Sequence, residues 1–225
     1  PKDRQAAQML IDLENALYQF LEVRGYWDER VRLSEWRYHA GKALSQWTDA
    51  GWGAHNVARI YYHRAQMERA GIWAARTAEA MERGGNRREK AVAIQLQGLI
   101  AAQRSNYAEA EQLHQDALAI YRELGKEVDE AIALNDLGTV ARAQGHYDRA
   151  ESYYMQALAI AEKLGKKEFI ATYCGNLGTL VLNCNRPTKA RPWYERELAL
   201  AQEVGRQDLV AVAQSGLAEV LEEEG

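Results

Sequence analysis

The chain has 225 residues, of which 27% are charged, and its formal net charge is −4. No apolar stretch approaches the roughly 18 residues of a membrane-spanning helix, so the sequence predicts no such helix. The small net charge argues neither for nor against a charged partner. The first 104 residues carry an excess of Lys and Arg and the remainder an excess of Asp and Glu, which could orient a polar partner.

Glycines recur at an interval of forty residues along most of the chain. The two series are Gly98, Gly138 and Gly178, and Gly85, Gly125, Gly165 and Gly205. A fixed period of this length is typical of a stacked repeat array. The sequence therefore predicts an all-α fold, a solenoid of stacked antiparallel helix pairs that spans residues 1–225 as a single domain. In chain order, the predicted repeats are degenerate at about 9–47 and 50–85 and clear at about 88–127, 128–167 and 168–207, with a final helix at 208–224.

The two degenerate repeats are rich in aromatic side chains. These residues are Tyr18, Phe20, Tyr26, Trp27, Trp36, Tyr38, Trp47, Trp52, Tyr61, Tyr62 and Trp73. One interpretation is that wide side chains fill the cores of irregular repeats, and this is the interpretation we favour. The alternative is a pocket or docking face, because Trp and Tyr often anchor interfaces.

The repeat at 128–167 shows most clearly how each unit is built. Apolar residues recur with a helical period over 131–144 and again over 147–164. Gly138 lies in the middle of the first helix, where glycine costs about 1 kcal/mol relative to alanine. We therefore predict a close contact with the second helix, with Ala150 as the matching small residue and Tyr154 beside it.

The last clear repeat contains the two cysteines and a proline. Pro187 falls at the start of the second predicted helix, where its missing N–H is harmless. Cys174 and Cys184 are ten residues apart in the first predicted helix, roughly 15 Å and too far for a disulfide. We predict two reduced thiols and a cytoplasmic location. Because the chain begins Pro1-Lys2 without an initiator Met, we expect it to be part of a longer protein.

One motif recurs in the last two clear repeats. It consists of Leu134, Leu137 and Gly138 in the first helix, Ala150, Tyr154 and Ala157 in the second, and Leu177, Gly178, Ala190 and Tyr194 one period later. This pattern resembles the tetratricopeptide repeat, in an elongated form of forty residues instead of the usual thirty-four. Such elongated repeats are similar to those of kinesin light chains, cell-polarity adaptors and bacterial STAND-type signalling ATPases. The resemblance implies a right-handed solenoid that binds proteins or peptides.

Within this group, residues 20–30 (FLEVRGYWDER) resemble the start of the repeat region in bacterial STAND or NB-ARC regulators. In those proteins, the repeats follow a nucleotide-binding switch and sense a ligand or partner. The present chain lacks that switch, because Gly41-Lys42 is followed by Ala43 and has no upstream phosphate-loop glycine. The resemblance implies a sensor or interaction region of a larger bacterial signalling protein, with an upstream nucleotide-binding domain as a further partner.

The resemblance also implies that the first helix of each pair lines a concave binding surface, through positions equivalent to Asn135, Thr139 and Arg142. Polar side chains recur at or near these positions in the other repeats. The predicted partner-binding residues are Asn15, His55, Arg59, Tyr62, Gln95, Asn135, Thr139, Arg142 and Thr179. Side-chain amides can hydrogen-bond a peptide backbone, so we predict a protein or peptide partner. The alternative function is a regulatory domain that binds a small ligand or nucleic acid through the aromatic-rich first third.

The sequence contains no pattern typical of a catalytic or metal site. His55 and His63 are eight residues apart and miss the four-residue spacing of a helical metal pair. Nucleophile and dinucleotide motifs are absent as well. We predict no enzymatic activity, no cofactor and no metal. The basic cluster at residues 83–90 is interpreted as a solvated loop, so neither nucleic acid nor a membrane is an expected partner.

Overall fold

The computed structural model describes residues 2–224, without the side chains of residues 2, 3, 18–24 and 224. Over this range the chain forms eleven α-helices and no strand, and it is 88% helical. The helices are α1 (Lys2–Arg24), α2 (Trp27–Leu44), α3 (Trp47–His63), α4 (Met67–Gly84), α5 (Arg87–Gln103), α6 (Tyr107–Glu123), α7 (Glu127–Ala143), α8 (Tyr147–Lys163), α9 (Lys167–Asn183), α10 (Pro187–Val204) and α11 (Gln207–Glu224). The predicted all-α fold is confirmed.

Each turn between consecutive helices contains one residue in the left-handed backbone conformation. These residues lie twenty apart, with φ between 56° and 77°. They are Gly25, Ser45, Ala65, Gly85, Ser105, Gly125, Gly145, Gly165, Asn185 and Gly205. The backbone therefore repeats every twenty residues, half the interval seen in the sequence. The longer interval arises because first and second helices bury different sets of side chains.

The chain divides into two compact units, Pro1–Ile120 and Tyr121–Gly225. In the first unit, α3 contacts α2, α4 and α5. In the second unit, α9 contacts α8 and α10 and, more lightly, α7 and α11. A helix that packs on its neighbours and on the next helix but one is the arrangement of an α-solenoid, in which no helix pair buries both of its faces alone.

In the first unit, α2 and α3 approach each other through two glycines. A Cβ added at Gly41 would lie 2.5 Å from the backbone nitrogen of Ala50. A Cβ added at Gly53 would lie 2.6 Å from the backbone nitrogen of Tyr38 and 2.7 Å from the carbonyl oxygen of Ser34. Backbone atoms of a helix cannot turn away as a side chain can, so glycine is required at this crossing.

In the second unit, the repeated glycines face aromatic rings. A Cβ added at Gly138 would lie 2.6 Å from Cδ1 and Cε1 of Tyr154, and one at Gly178 would lie 2.9 Å from Cε1 and Cζ of Tyr194. The predicted contact between paired helices is present, and the atoms nearest to the added Cβ belong to the tyrosine that the sequence placed beside Ala150. The tyrosine ring on the second helix occupies the space that a Cβ on the first helix would need.

The last repeat agrees with most of the sequence expectations. Pro187 is the first residue of α10, as predicted. Cys174 is buried within α9, whereas Cys184 follows the last residue of that helix. Both thiols are free, as predicted.

Candidate functional site

Three of the predicted partner-binding residues line one cleft of about 470 Å³ in the first unit. Asn15 comes from α1, and His55 and Arg59 come from successive turns of α3. The complete lining is Glu14, Asn15, Arg37, Trp52, His55, Asn56 and Arg59. We call this the first-unit cleft.

A buried ion pair forms the floor of the first-unit cleft. Glu14 is 2% exposed, and its Oε2 accepts a hydrogen bond from Arg37 Nη1 at 2.8 Å. Its Oε1 accepts from Ser34 Oγ and from Asn56 Nδ2, both at 2.9 Å. A buried carboxylate with three donors is satisfied, and it holds α1, α2 and α3 in one geometry.

Arg37 extends this network to the rim of the cleft. Its Nη1 donates to Asn15 Oδ1 at 2.8 Å, and its Nη2 donates to Asp49 Oδ1 at 2.8 Å. The sequence analysis did not predict this network, although the register of Arg37 in the sequence points to it. Arg37 stands forty residues before Thr77 and eighty before Ala117, in a register where the three middle repeats carry buried small side chains.

His55 is neutral in the first-unit cleft. Its side chain is 9% exposed and lies edge-on to the Trp52 ring, with 5.3 Å between the ring centroids. Burial, and next the nearby positive charge of Arg59, lower the pKa of His55 to about 3. Its Nδ1 is buried and has no hydrogen-bond partner among the described residues.

Arg59 supplies a positive charge at the opening of the cleft. The residue is exposed, and no ion pair joins it to a carboxylate in the described part of the chain. A guanidinium without a carboxylate partner, beside the amides of Asn15 and Asn56, can bind a carboxylate or a backbone carbonyl group.

The structure places Tyr62 and Gln95 outside the first-unit cleft lining. The Tyr62 hydroxyl accepts a hydrogen bond from Gln103 Nε2 at 3.2 Å. Gln95 is half-buried on α5. Both residues lie on first helices, but the cleft does not extend to them.

In the second unit, three of the predicted residues form hydrogen bonds within the fold. Asn135 Oδ1 accepts from Asn176 Nδ2 at 2.6 Å. The Thr139 hydroxyl donates to the Asn135 carbonyl oxygen at 3.1 Å and shares a hydrogen bond with the Tyr154 hydroxyl. Thr179 shares the equivalent bond with the hydroxyl of the tyrosine that faces Gly178. These threonines position the tyrosines.

Arg142, the remaining predicted residue, is half-buried on α7. Its charge lies near Tyr194, whose pKa is raised by burial and further by carboxylates, while Arg142 acts in the opposite direction. It is therefore close to the tyrosine that packs on Gly178.

Most of the aromatic residues in the first third pack within the fold. Tyr38 and Trp73 are buried and meet edge to face at 5.4 Å, and the Arg76 guanidinium lies 4.3 Å from the Trp73 ring centroid. Trp36 and Tyr26, by contrast, are about half exposed. The side chains of residues 18 and 20 lie outside the described part of the structure.

No group of three or more His, Cys, Asp or Glu side chains that could hold a metal ion occurs among the described residues. Likewise, none of the described helices is both long and apolar enough to cross a lipid bilayer.

Residues 91–163, which run from α5 to the end of α8, match the tetratricopeptide repeat family model. This part of the chain carries tetratricopeptide repeats. No curated protein matches the sequence. The repeats are similar in fold to BtubC from P. vanneervenii, with 19% identity, a TM-score of 0.72, and coverage of 88% of this chain and 84% of that one.

Two further solved structures share the fold. A Rap protein complexed with competence and sporulation factor has 18% identity and a TM-score of 0.74, with coverage of 92% of this chain and 61% of that chain. A Pyrococcus horikoshii signal transduction ATPase with numerous domains (STAND), which has a tetratricopeptide repeat sensor, has 18% identity and a TM-score of 0.72. That match covers 95% of this chain but only 34% of the ATPase. At these identities the similarity shows the fold alone.

Proposed function

We propose that the tetratricopeptide repeats bind a protein or peptide partner on the concave face formed by the first helices, with the first-unit cleft as a principal contact. The tetratricopeptide fold is typical of protein interaction scaffolds and is not a catalytic fold. The observation that carries the proposal is the convergence of Asn15, His55 and Arg59 on one cleft. Their side chains offer an amide, an imidazole and a guanidinium to the same ligand.

The cleft is suited to an extended peptide that carries an acidic group. Arg59 would pair with the acidic group, and the amides of Asn15 and Asn56 would reach backbone atoms of the peptide. The ion pair between Glu14 and Arg37 holds these amides in place before the ligand arrives. Such preorganisation reduces the entropy lost on binding.

We further propose that the repeats are the sensor or interaction region of a larger bacterial signalling protein in the cytoplasm. Two points support this role. The fold is shared with part of a STAND ATPase that has a tetratricopeptide repeat sensor, and the match covers 34% of the ATPase chain. The two free thiols are typical of a reducing compartment. An upstream nucleotide-binding domain would then be an intramolecular partner.

A second candidate function is the binding of a small ligand in the same cleft. The Trp52 ring lines the cleft beside the unpartnered Nδ1 of His55, and it could stack on a flat molecule. This candidate predicts that binding depends on Trp52 and is indifferent to Gln95 and Asn135.

The proposal can be tested by selecting short random peptides displayed on phage against the purified chain. Peptides that bind should lose affinity about two- to tenfold on Arg59→Ala, because one exposed charge-assisted contact is removed. Arg32→Ala is the matched control, since Arg32 is an exposed arginine of α2 that pairs with Glu29 on its own helix. Failure to enrich any peptide, or equal effects of the two variants, would contradict the proposal.

A further inference from the structure

One position of the second helices carries small buried side chains in the middle repeats and a carboxylate in the last. Ala117 and Ala157 occupy this register and are completely buried. Forty residues after Ala157, the same register holds Glu197, which is 1% exposed. In a register where the two preceding repeats carry only a methyl group, the last repeat thus carries a buried ionisable side chain, as the first repeat does with Arg37.

Gly175 on α9 provides the space for this carboxylate. A Cβ added at Gly175 would overlap both carboxylate oxygens and would lie 2.6 Å from the carboxyl carbon of Glu197. One repeat earlier, the register of Gly175 is occupied by Asn135, one of the predicted partner-binding residues. The Glu197 carboxylate of α10 therefore occupies the position that the Cβ of a side chain at residue 175 would take.

No cation among the described side chains pairs with the Glu197 carboxylate. Its Oε2 has no hydrogen-bond partner in the part of the chain that the structure describes. Burial raises the pKa of Glu197 to about 7, and no neighbouring cation offsets this effect. Arg196, the adjacent cation on α10, instead pairs with Glu162 at 2.6 Å.

Further hydrogen-bonding groups lie one turn along α9. The hydroxyls of Thr179 and Tyr194 are 3.1 Å apart. Glu219 of α11 lies close enough, together with Glu197, to add to the rise that burial causes in the pKa of Tyr194. Of the charged groups acting on this tyrosine, two are carboxylates and one is the Arg142 guanidinium. The surroundings of Tyr194 thus contain more negative than positive charge.

We propose that Glu197 and Gly175 form a subsite for a lysine or arginine side chain of the bound partner, with Glu197 as its counter-ion. The inference rests on the proposed function, because it takes the ligand to be a peptide. A buried carboxylate without a partner is unfavourable, and a hydrogen-bonded cation removes that penalty. Because residue 175 is glycine, α9 presents no side chain there that would displace the carboxylate.

The subsite can be probed with N-acetyl-lysine amide and N-acetyl-arginine amide, followed by NMR of the Gly175 and Gly178 backbone amides. Both probes should cause saturable shifts, whereas the uncharged N-acetyl-norleucine amide should not. Glu197→Gln should weaken the response by about tenfold or more, since a hydrogen bond to a charged group is lost. Glu195→Gln is the matched control, because Glu195 is an exposed carboxylate on the same helix, and it should respond as the wild type does.

A second variant separates loss of the subsite from loss of the fold. Gly175→Asn combined with Glu197→Ala recreates the pair that Asn135 and Ala157 form one repeat earlier, so it should fold and no longer bind either cation. Equal shifts with the norleucine probe, or a response that survives Glu197→Gln, would overturn the subsite. If selected peptides still depend on Arg59 while the cation probes fail, only the subsite is wrong. If no peptide binds but the cations do, the proposed function fails.

Discussion

Replacing Gly53 by alanine should destabilise the first unit, although alanine is the better helix former. The added Cβ would lie 2.6 Å and 2.7 Å from backbone atoms of α2, whereas nonbonded atoms prefer roughly 3.5 Å. The two helices would have to separate by almost 1 Å. Overpacking of this kind costs up to about 3 kcal/mol, and the gain in helix propensity returns about 1 kcal/mol. We expect a net loss of about 2 kcal/mol.

Thermal unfolding followed by far-UV circular dichroism measures this effect. For a chain of this size, the expected loss lowers Tm by about 4–8 °C. Gly71→Ala is the matched control, because its Cβ would meet only the end of the flexible Arg104 side chain. The control should gain up to about 1 kcal/mol from helix propensity. A Gly53→Ala protein as stable as the control would refute the backbone contact between α2 and α3.

Three further predictions concern single side chains. Ala65 has a φ of 56°, so Ala65→Gly should raise stability by about 0.5–1 kcal/mol in a denaturant titration, and a loss would contradict the left-handed turn. His55 has its pKa lowered to about 3, so it contributes stability that is lost as pH falls from about 6.5 towards 3. His55→Gln should therefore show a weaker loss of stability over that range than the wild type. A colorimetric thiol reagent should label Cys184 in the folded chain and Cys174 only after unfolding, because Cys174 is buried with its pKa raised to about 11.

Part of the first-unit cleft could be predicted from the sequence. Asn15 and His55 share a register of forty residues, and Arg59 lies one helical turn after His55, so a repeat fold brings the three to one face. The ion pair beneath them could not be predicted. Glu14 and Arg37 are 23 residues apart on different helices, and their contact depends on how closely α1 and α2 pack. Sequence patterning identifies the face of a helix but not the depth at which a charged side chain is buried.

The amino-acid sequence by itself determined the helices, the turns and the repeat interval, because these depend on contacts between residues close along the chain. Glycines at the turns and apolar residues with a helical period carry that information locally. Only the tertiary structure decided what each mid-helix glycine meets: backbone at Gly53, a tyrosine ring at Gly138, and a carboxylate at Gly175. Glycine permits all three close contacts, because the space that the missing Cβ leaves is filled by whichever atoms the neighbouring helix places there.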